Sequence, residues 1–245
     1  MKQAIAEISQ ATLNLVFPVY CQSCNVKLLY TNRGYLCKDC LGKIKRNQPP
    51  LCTRCGRSLN TYNKNLKAIC ADCIGKSYSF KQAWQCCEYE GLTKELIHKF
   101  KYNKKVFLKE PLAEILCQFA MSYIDYKTID NIIAVPMNKR DLQARGFNQA
   151  ELLAEVLSKK LGIPYIKNLL IKTKRTKEQI GLNRGRRLKN LEGAFHTNKS
   201  ICLNQKVLLL LDDVYTTGAT ANECSKTLLV SGAESIYSFA IARGK

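Results

Sequence analysis

Acidic residues are scarce in this sequence of 245 residues: 19 Asp and Glu stand against 39 Lys and Arg, a formal net charge of +20. A deficit of that size leaves a field that draws polyanions, whether nucleic acid, a membrane surface or a phosphorylated small molecule. Long apolar runs are missing too. The longest, residues 207–211, is far below membrane-spanning length, which excludes insertion into a bilayer. With only 6 Pro and 13 Gly beside 46% hydrophobic residues, the chain is globular rather than disordered. Residues 1–20 lack a charged-then-apolar layout and a small-residue cleavage site, so no secretory signal is expected; Ile5, Ile8, Leu15 and Val16 instead suit a short amphipathic helix. A soluble, cytoplasmic protein is expected. His98 and His196 are the sole histidines, and neither stands out as a general base. Trp84 is the one Trp, and the aromatics form no obvious stacking track for single-stranded nucleic acid.

Cysteine is abundant by contrast. Of 13, eight fall into Cys-x-x-Cys pairs: Cys21/Cys24, Cys37/Cys40, Cys52/Cys55 and Cys70/Cys73. In a reducing compartment that pattern argues for metal rather than disulfides. Each pair is a tight knuckle offering two thiolates, and two knuckles close a tetrahedral site with no open position for catalysis. Thiolate softness favours Zn²⁺ over magnesium or calcium, with an iron–sulfur cluster as the alternative. The stretch Cys21-Gln-Ser-Cys24-Asn-Val-Lys-Leu resembles Cys52-Thr-Arg-Cys55-Gly-Arg-Ser-Leu, as if one small unit were repeated. Adjacent pairing, first with second and third with fourth, closes the shortest loops and is preferred over a cross-braced arrangement. Two structural zinc sites follow, whose binding supplies folding free energy that so polar a segment lacks. Cys86, Cys87, Cys117, Cys202 and Cys224 have no partner spacing and are expected to be reduced.

Composition changes near residue 78. The expected organisation is an N-terminal helix with a double zinc-ribbon module over 1–78 and an α/β domain over 79–245. In the second part, strand-like segments at 83–89, 131–135, 206–211 and 235–242 alternate with helix-like ones at 93–100, 107–123, 148–161 and 220–230. Pro111 is tolerable in a helix only within its first turn. Residues 172–187 are basic, contain Gly and show no clear period. Such alternation implies a mainly parallel sheet with helices on both faces.

The decisive segment is Val207-Leu-Leu-Leu-Leu-Asp212-Asp213-Val-Tyr-Thr216-Thr217-Gly218-Ala219-Thr220. It reads as a buried strand, two carboxylates at its carboxyl end, a small-residue loop and a helix start. Ligands of open α/β sheets bind at that end of the strands. Loop amides, Thr hydroxyls and the helix N-terminus surround a phosphate, and Gly218 lets the backbone come close. Asp capping accounts for one carboxylate, not two; a ribose diol with a nearby Mg²⁺ accounts for both. Lys139 and Arg140 follow the strand ending at Val135-Pro136 and so reach the same sheet edge, where Arg chelates phosphate oxygens bidentately.

This segment resembles the phosphoribosyl pyrophosphate (PRPP) loop of type I phosphoribosyltransferases. Three further features are Val135-Pro136-Met-Asn-Lys139-Arg140 with Arg145-Gly146-Phe147-Asn148-Gln149, the motif Thr176-x-x-Gln179-x-x-Leu182-x4-Arg187-x-x-Asn190-x3-Ala194-Phe195, and the paired-cysteine head. Together they are similar to the ComF family, whose members include a competence protein for uptake of transforming DNA. The resemblance implies a type I phosphoribosyltransferase-like sheet behind the zinc ribbons. It implies that Asp212 and Asp213 hold ribose hydroxyls, and that Thr216, Thr217, Gly218, Ala219 and Thr220 bind the 5′-phosphate. Lys139 is then a further PRPP contact, and Arg140, Arg145 and Arg187 are the candidate catalytic cations. Residues 172–187 resemble a substrate lid in position and composition, and equally suit a nucleic-acid backbone.

Three functions compete. One is a phosphoribosyltransferase moving phosphoribosyl from Mg-PRPP to a nitrogen acceptor. A second binds PRPP and handles single-stranded DNA during natural competence. A third is an adaptor whose zinc head docks a partner, such as the helicase-like competence protein the resemblance implies.

Overall fold

The computed structural model describes residues 18–28, 35–59, 68–174, 191–198 and 200–244. The helix expected within residues 1–20 rests on positions outside them, as do Arg187 and most of the basic stretch.

Strands β3 (Gln82–Glu88), β4 (Asn131–Ala134), β7 (Val207–Tyr215) and β8 (Ser235–Arg243) form one sheet in the order β3-β8-β7-β4, every neighbouring pair parallel. Two antiparallel pairs accompany it: β1 (Val19–Tyr20) with β2 (Lys27–Leu28), and β5 (Leu170–Lys172) with β6 (Phe195–Thr197). The helices are α1 (Lys38–Gly42), α2 (Gly91–Tyr102), α3 (Lys109–Tyr123), α4 (Lys139–Arg145), α5 (Gln149–Leu161) and α6 (Ala219–Val230).

The leucine run of β7 is apolar on both sides because both sides are covered. Leu209 and Leu211 join the core formed with α2, α3 and α5, while Leu208 and Leu210 join the core under α6. Helix α3 buries Leu112, Ile115, Leu116 and Phe119, and Pro111 falls in its first turn, where no intrahelical N–H is needed. At the start of α5 the Asn148 side chain accepts from the Ala150 N–H at 3.0 Å, and Gly162 ends the helix in the left-handed region.

Several boundaries differ from the sequence reading. β7 does not stop at residue 211; its ladder with β8 continues to Tyr215, so both aspartates lie inside a strand. Helix α3 starts at Lys109, after a 3-10 turn over Val106–Leu108. The short helix α4 and the β5–β6 pair carried no periodic signal, being three to seven residues long.

The cysteine-rich segment covers the open edge of the sheet. β3 is an edge strand, and Arg46 bridges to Cys87 in antiparallel fashion. The Asn47 N–H donates to the Cys86 carbonyl at 2.8 Å, and the Ala83 N–H donates to the Arg54 carbonyl at 2.9 Å. An exposed edge strand invites foreign strands, and these contacts block it. The first ribbon supplies Cys21, Leu28, Leu36, Cys40 and Ile44 to the core with α2, α3 and α5; the second supplies Cys52, Cys55, Cys70 and Cys73 to the core under α6.

Candidate functional site

Two four-cysteine clusters are present, Cys21/Cys24/Cys37/Cys40 and Cys52/Cys55/Cys70/Cys73, the ligand atoms within each lying within 4.8 Å of one another. Neighbouring knuckles therefore pair, as loop length favoured. A tetrahedron with Zn–S bonds of about 2.3 Å requires sulfurs roughly 3.8 Å apart; Cys24–Cys37 and Cys55–Cys70 are each 3.6 Å apart. The donor set thus fits zinc, and four thiolates leave no position for a substrate, so these are structural sites. The two ribbons share backbone geometry. Asn25 and Gly56 follow the second cysteine of their knuckles with φ of 59° and 68°, and their N–H groups return to the carbonyls of Cys21 and Cys52. N–H groups also point at sulfur: Cys37 N lies 3.4 Å from Cys21 Sγ, and Cys70 N lies 3.3 Å from Cys52 Sγ. Burial raises the Cys21 thiol, but N–H groups of Cys24, Cys37 and Ser23 prevail and bring it down to about 6. Cys52 falls to about 7 for the same reason, through Cys55, Cys70 and Arg54. Cys37, Cys55 and Cys73 are instead raised, Cys55 and Cys73 chiefly by burial, so the shifts differ in sign within each cluster.

The candidate phosphate loop joins β7 to α6 at the carboxyl end of the sheet. Thr216 and Thr217 are half-buried, Gly218 turns the chain with φ of 79°, and α6 begins at Ala219. The Ala219 N–H points at Thr217 Oγ1, 3.4 Å away. A Cβ on Gly218 would lie 2.3 Å from the Tyr215 hydroxyl oxygen, so no larger residue fits.

Before the loop, the acidic pair is flanked by lysines that sequence reasoning missed. Lys101 Nζ, at the end of α2, lies 2.7 Å from Asp213 Oδ1, with both side chains mostly buried. Burial would lower the Lys101 ammonium, yet Asp213 and Asp212 hold it above its usual value. Burial and the neighbouring Asp213 push the Asp212 carboxyl up to about 7, against the opposing pull of Lys101 and Lys172. Lys172, on β5, is lowered by burial despite Asp141, Cys224 and Asp212. No sequence spacing links residues 101, 172 and 212; the packing of α2 and β5 around the end of β7 brings them together.

Lys139 and Arg140 open α4, just beyond the end of β4, which pairs with β7 through Ala134 and Leu211. Both are exposed, and neither forms a salt bridge with a described residue. Arg145 is otherwise engaged: it lies over the Tyr102 ring at 5.1 Å and donates to Gln149 Oε1 at 2.8 Å. His98 lies beside Tyr102 on α2, the rings tilted with centroids 4.8 Å apart, and His196 lies in β6; neither forms a hydrogen bond or ion pair with the acidic pair among the described residues. Among the lone cysteines, Cys86, Cys87, Cys117 and Cys224 are buried and Cys202 is exposed, all unpaired.

The double zinc ribbon domain family matches residues 12–89. Competence protein F of Haemophilus influenzae is 32% identical over 233 residues, covering 93% of this chain and 98% of that protein. The chain belongs to the ComF family. Another relative, DNA utilization protein YhgH of Escherichia coli, is 27% identical over 232 residues, 94% of this chain and 99% of its own length. A solved glutamine PRPP amidotransferase of B. subtilis, complexed with ADP and GMP, aligns with 53% of this chain and 25% of its own, at 18% identity and a TM-score of 0.36. The matches to both relatives span the ribbons and the α/β part together.

Proposed function

We propose that this ComF-family chain binds Mg-PRPP at the β7–α6 loop and acts in the cytoplasm in handling incoming single-stranded DNA. The observation that carries the reading is the left-handed Gly218 turn, with Thr216 and Thr217 half-exposed, opening a helix directly after an acidic pair. In this reading residues 216–220 receive the 5′-phosphate, and Asp212 and Asp213 take the ribose hydroxyls, Asp213 exchanging Lys101 for one of them. Mg²⁺, when bound with the ligand, offsets the pyrophosphate charge. Lys139 and Arg140, exposed and unpaired with described residues, approach the pyrophosphate; Arg187 joins from the stretch outside those residues. Arg145 stands behind them, held by Tyr102 and Gln149. The names of two relatives, a competence protein and a DNA utilization protein, together with the charge of +20, support the DNA role.

Calorimetric titration with PRPP, with and without Mg²⁺, tests the site. Wild type binds, and Asp212→Asn/Asp213→Asn loses at least about a hundredfold in affinity, a loss of roughly 3 kcal/mol. A double variant that binds like wild type refutes the assignment.

Turnover is the second reading, favoured by the exposed cations Lys139 and Arg140 at the start of α4, which suit stabilisation of a departing pyrophosphate. Pyrophosphate release on adding amines or bases to the PRPP complex separates enzyme from binder.

A further inference from the structure

The second ribbon reaches the floor of the phosphate loop through one side chain. Arg243, the last residue of β8, is 9% exposed. Its Nη1 donates to the Cys55 carbonyl at 3.0 Å and lies 3.5 Å from Gln85 Oε1. Its guanidinium stands 5.4 Å from the centre of the Tyr215 ring. Tyr215 underlies the loop: its hydroxyl occupies the space that a Cβ on Gly218 would need, and its carbonyl accepts from Gly244 at 2.8 Å. The Tyr215 hydroxyl is buried and has no hydrogen-bond partner among the described residues, so ring packing alone fixes it. That packing is Arg243 on one side and the edge of Phe80, 6.4 Å away, on another.

Arg243 has no carboxylate within ion-pair distance among the described residues, and a buried cation without countercharge is costly. Its compensation comes from the ribbon. Four thiolates around one divalent zinc leave a formal charge of about minus two, and Cys55 is one of those ligands. The loaded ribbon therefore holds the guanidinium in place, and the guanidinium holds the tyrosine ring against which the Gly218 turn is shaped. Among the described residues the first ribbon makes no contact with Arg243 or Tyr215; it sits in the other core, where Lys99 of α2 donates to its Gln22 carbonyl at 2.6 Å.

We infer that Arg243 is a positioning residue that couples zinc at Cys52, Cys55, Cys70 and Cys73 to anion binding at the β7–α6 loop, each favouring the other. The inference rests on the PRPP reading of that loop. Coupling between two sites is reciprocal in affinity, so the ligand must tighten zinc by the factor by which zinc improves ligand affinity, and tightening of this kind is read mainly as slower release.

The test uses the full chain loaded with two zinc ions and a zinc-selective chelator, following zinc release with and without Mg-PRPP. One of the two ions should leave roughly tenfold more slowly with PRPP present, and the other at an unchanged rate. Arg243→Gln, with both ions loaded, should lose that protection and bind PRPP roughly tenfold more weakly, while Arg243→Lys, which keeps the charge, should retain part of both. Release of both ions at rates indifferent to PRPP, in a wild type that calorimetry shows to bind it, overturns the coupling. Failure of wild type to bind PRPP at all is a separate readout that overturns the ligand reading and this inference with it. Should Arg243→Gln fail to fold, the wild-type release rates still decide.

Discussion

Asp212 and Asp213 are neighbours in the chain with different surroundings. Asp213 has a lysine at 2.7 Å, whereas Asp212, half-buried beside a second carboxylate, is raised to about 7. In the unfolded chain Asp212 gives up its proton near pH 4, and in the fold it keeps it until about 7. Its contribution to stability is therefore lost as pH climbs between those values. Between pH 5 and pH 8 wild type should lose a few degrees of Tm relative to Asp212→Asn, a comparison that cancels the pH dependence of zinc binding common to both proteins. Scanning calorimetry of both proteins at both pH values checks this; an unchanged difference would show that Asp212 titrates normally. Under the PRPP reading the same ionisation makes Mg-PRPP affinity rise through about pH 7, since an ionised carboxylate serves a diol and a cation better than a neutral one.

Among the elements, two left-handed glycines fix the geometry. A Cβ on Gly218 would meet the Tyr215 hydroxyl at 2.3 Å, and one on Gly56 would meet the Ala83 carbonyl oxygen of β3 at 2.3 Å. Neither neighbour is free to yield: Ala83 is held in the sheet, and Tyr215 is packed by Arg243 and Phe80. Gly56→Ala and Gly218→Ala should each cost about 2 kcal/mol or more, a fall in Tm of roughly 4–8 °C. The two differ in what else they lose. Gly218→Ala should abolish PRPP binding, whereas Gly56→Ala loosens the second ribbon on the sheet edge and releases zinc faster. Urea unfolding with a zinc assay on the same samples distinguishes them, and wild-type stability in either would dismiss the close approach as unimportant.

At the scale of the whole molecule, the ribbons are built into the α/β part rather than hung from it. Each supplies cysteines to a different core, and the chain between them pairs with β3. Because the ribbons share both cores with the α/β part, a joint response to zinc loss is predicted. Removing both zinc ions should lower the Tm of the entire chain in one broadened transition, because the sheet edge and parts of both cores are disturbed together. Two transitions, with the later one unmoved by chelation, would show an independent α/β domain. The charge of +20 also acts at this scale. Binding to single-stranded DNA should weaken steeply with salt, by about 0.7 in log affinity per log salt for each phosphate contacted. Absence of binding at low salt would remove the DNA role and leave the PRPP site untouched.

Chemistry carried by neighbours along the chain was legible in the sequence. The Cys-x-x-Cys knuckles, their pairing by proximity, the buried β7 leucines and the Asp-Asp to Thr-Thr-Gly turn all depend on local spacing, which fixes which ligands, faces and amides come together whatever the rest of the chain does. The tertiary structure alone decided how far β7 extends, since its last rungs depend on hydrogen bonds to Arg243 and its neighbours. It alone set Lys101 beside Asp213 and Arg243 between Cys55 and Tyr215, pairings separated by 112 and 188 residues along the chain for Lys101–Asp213 and Arg243–Cys55. Contacts at such separations leave no periodicity or motif behind. They exist because a parallel sheet gathers the ends of distant strands at one edge and both cores must close around them.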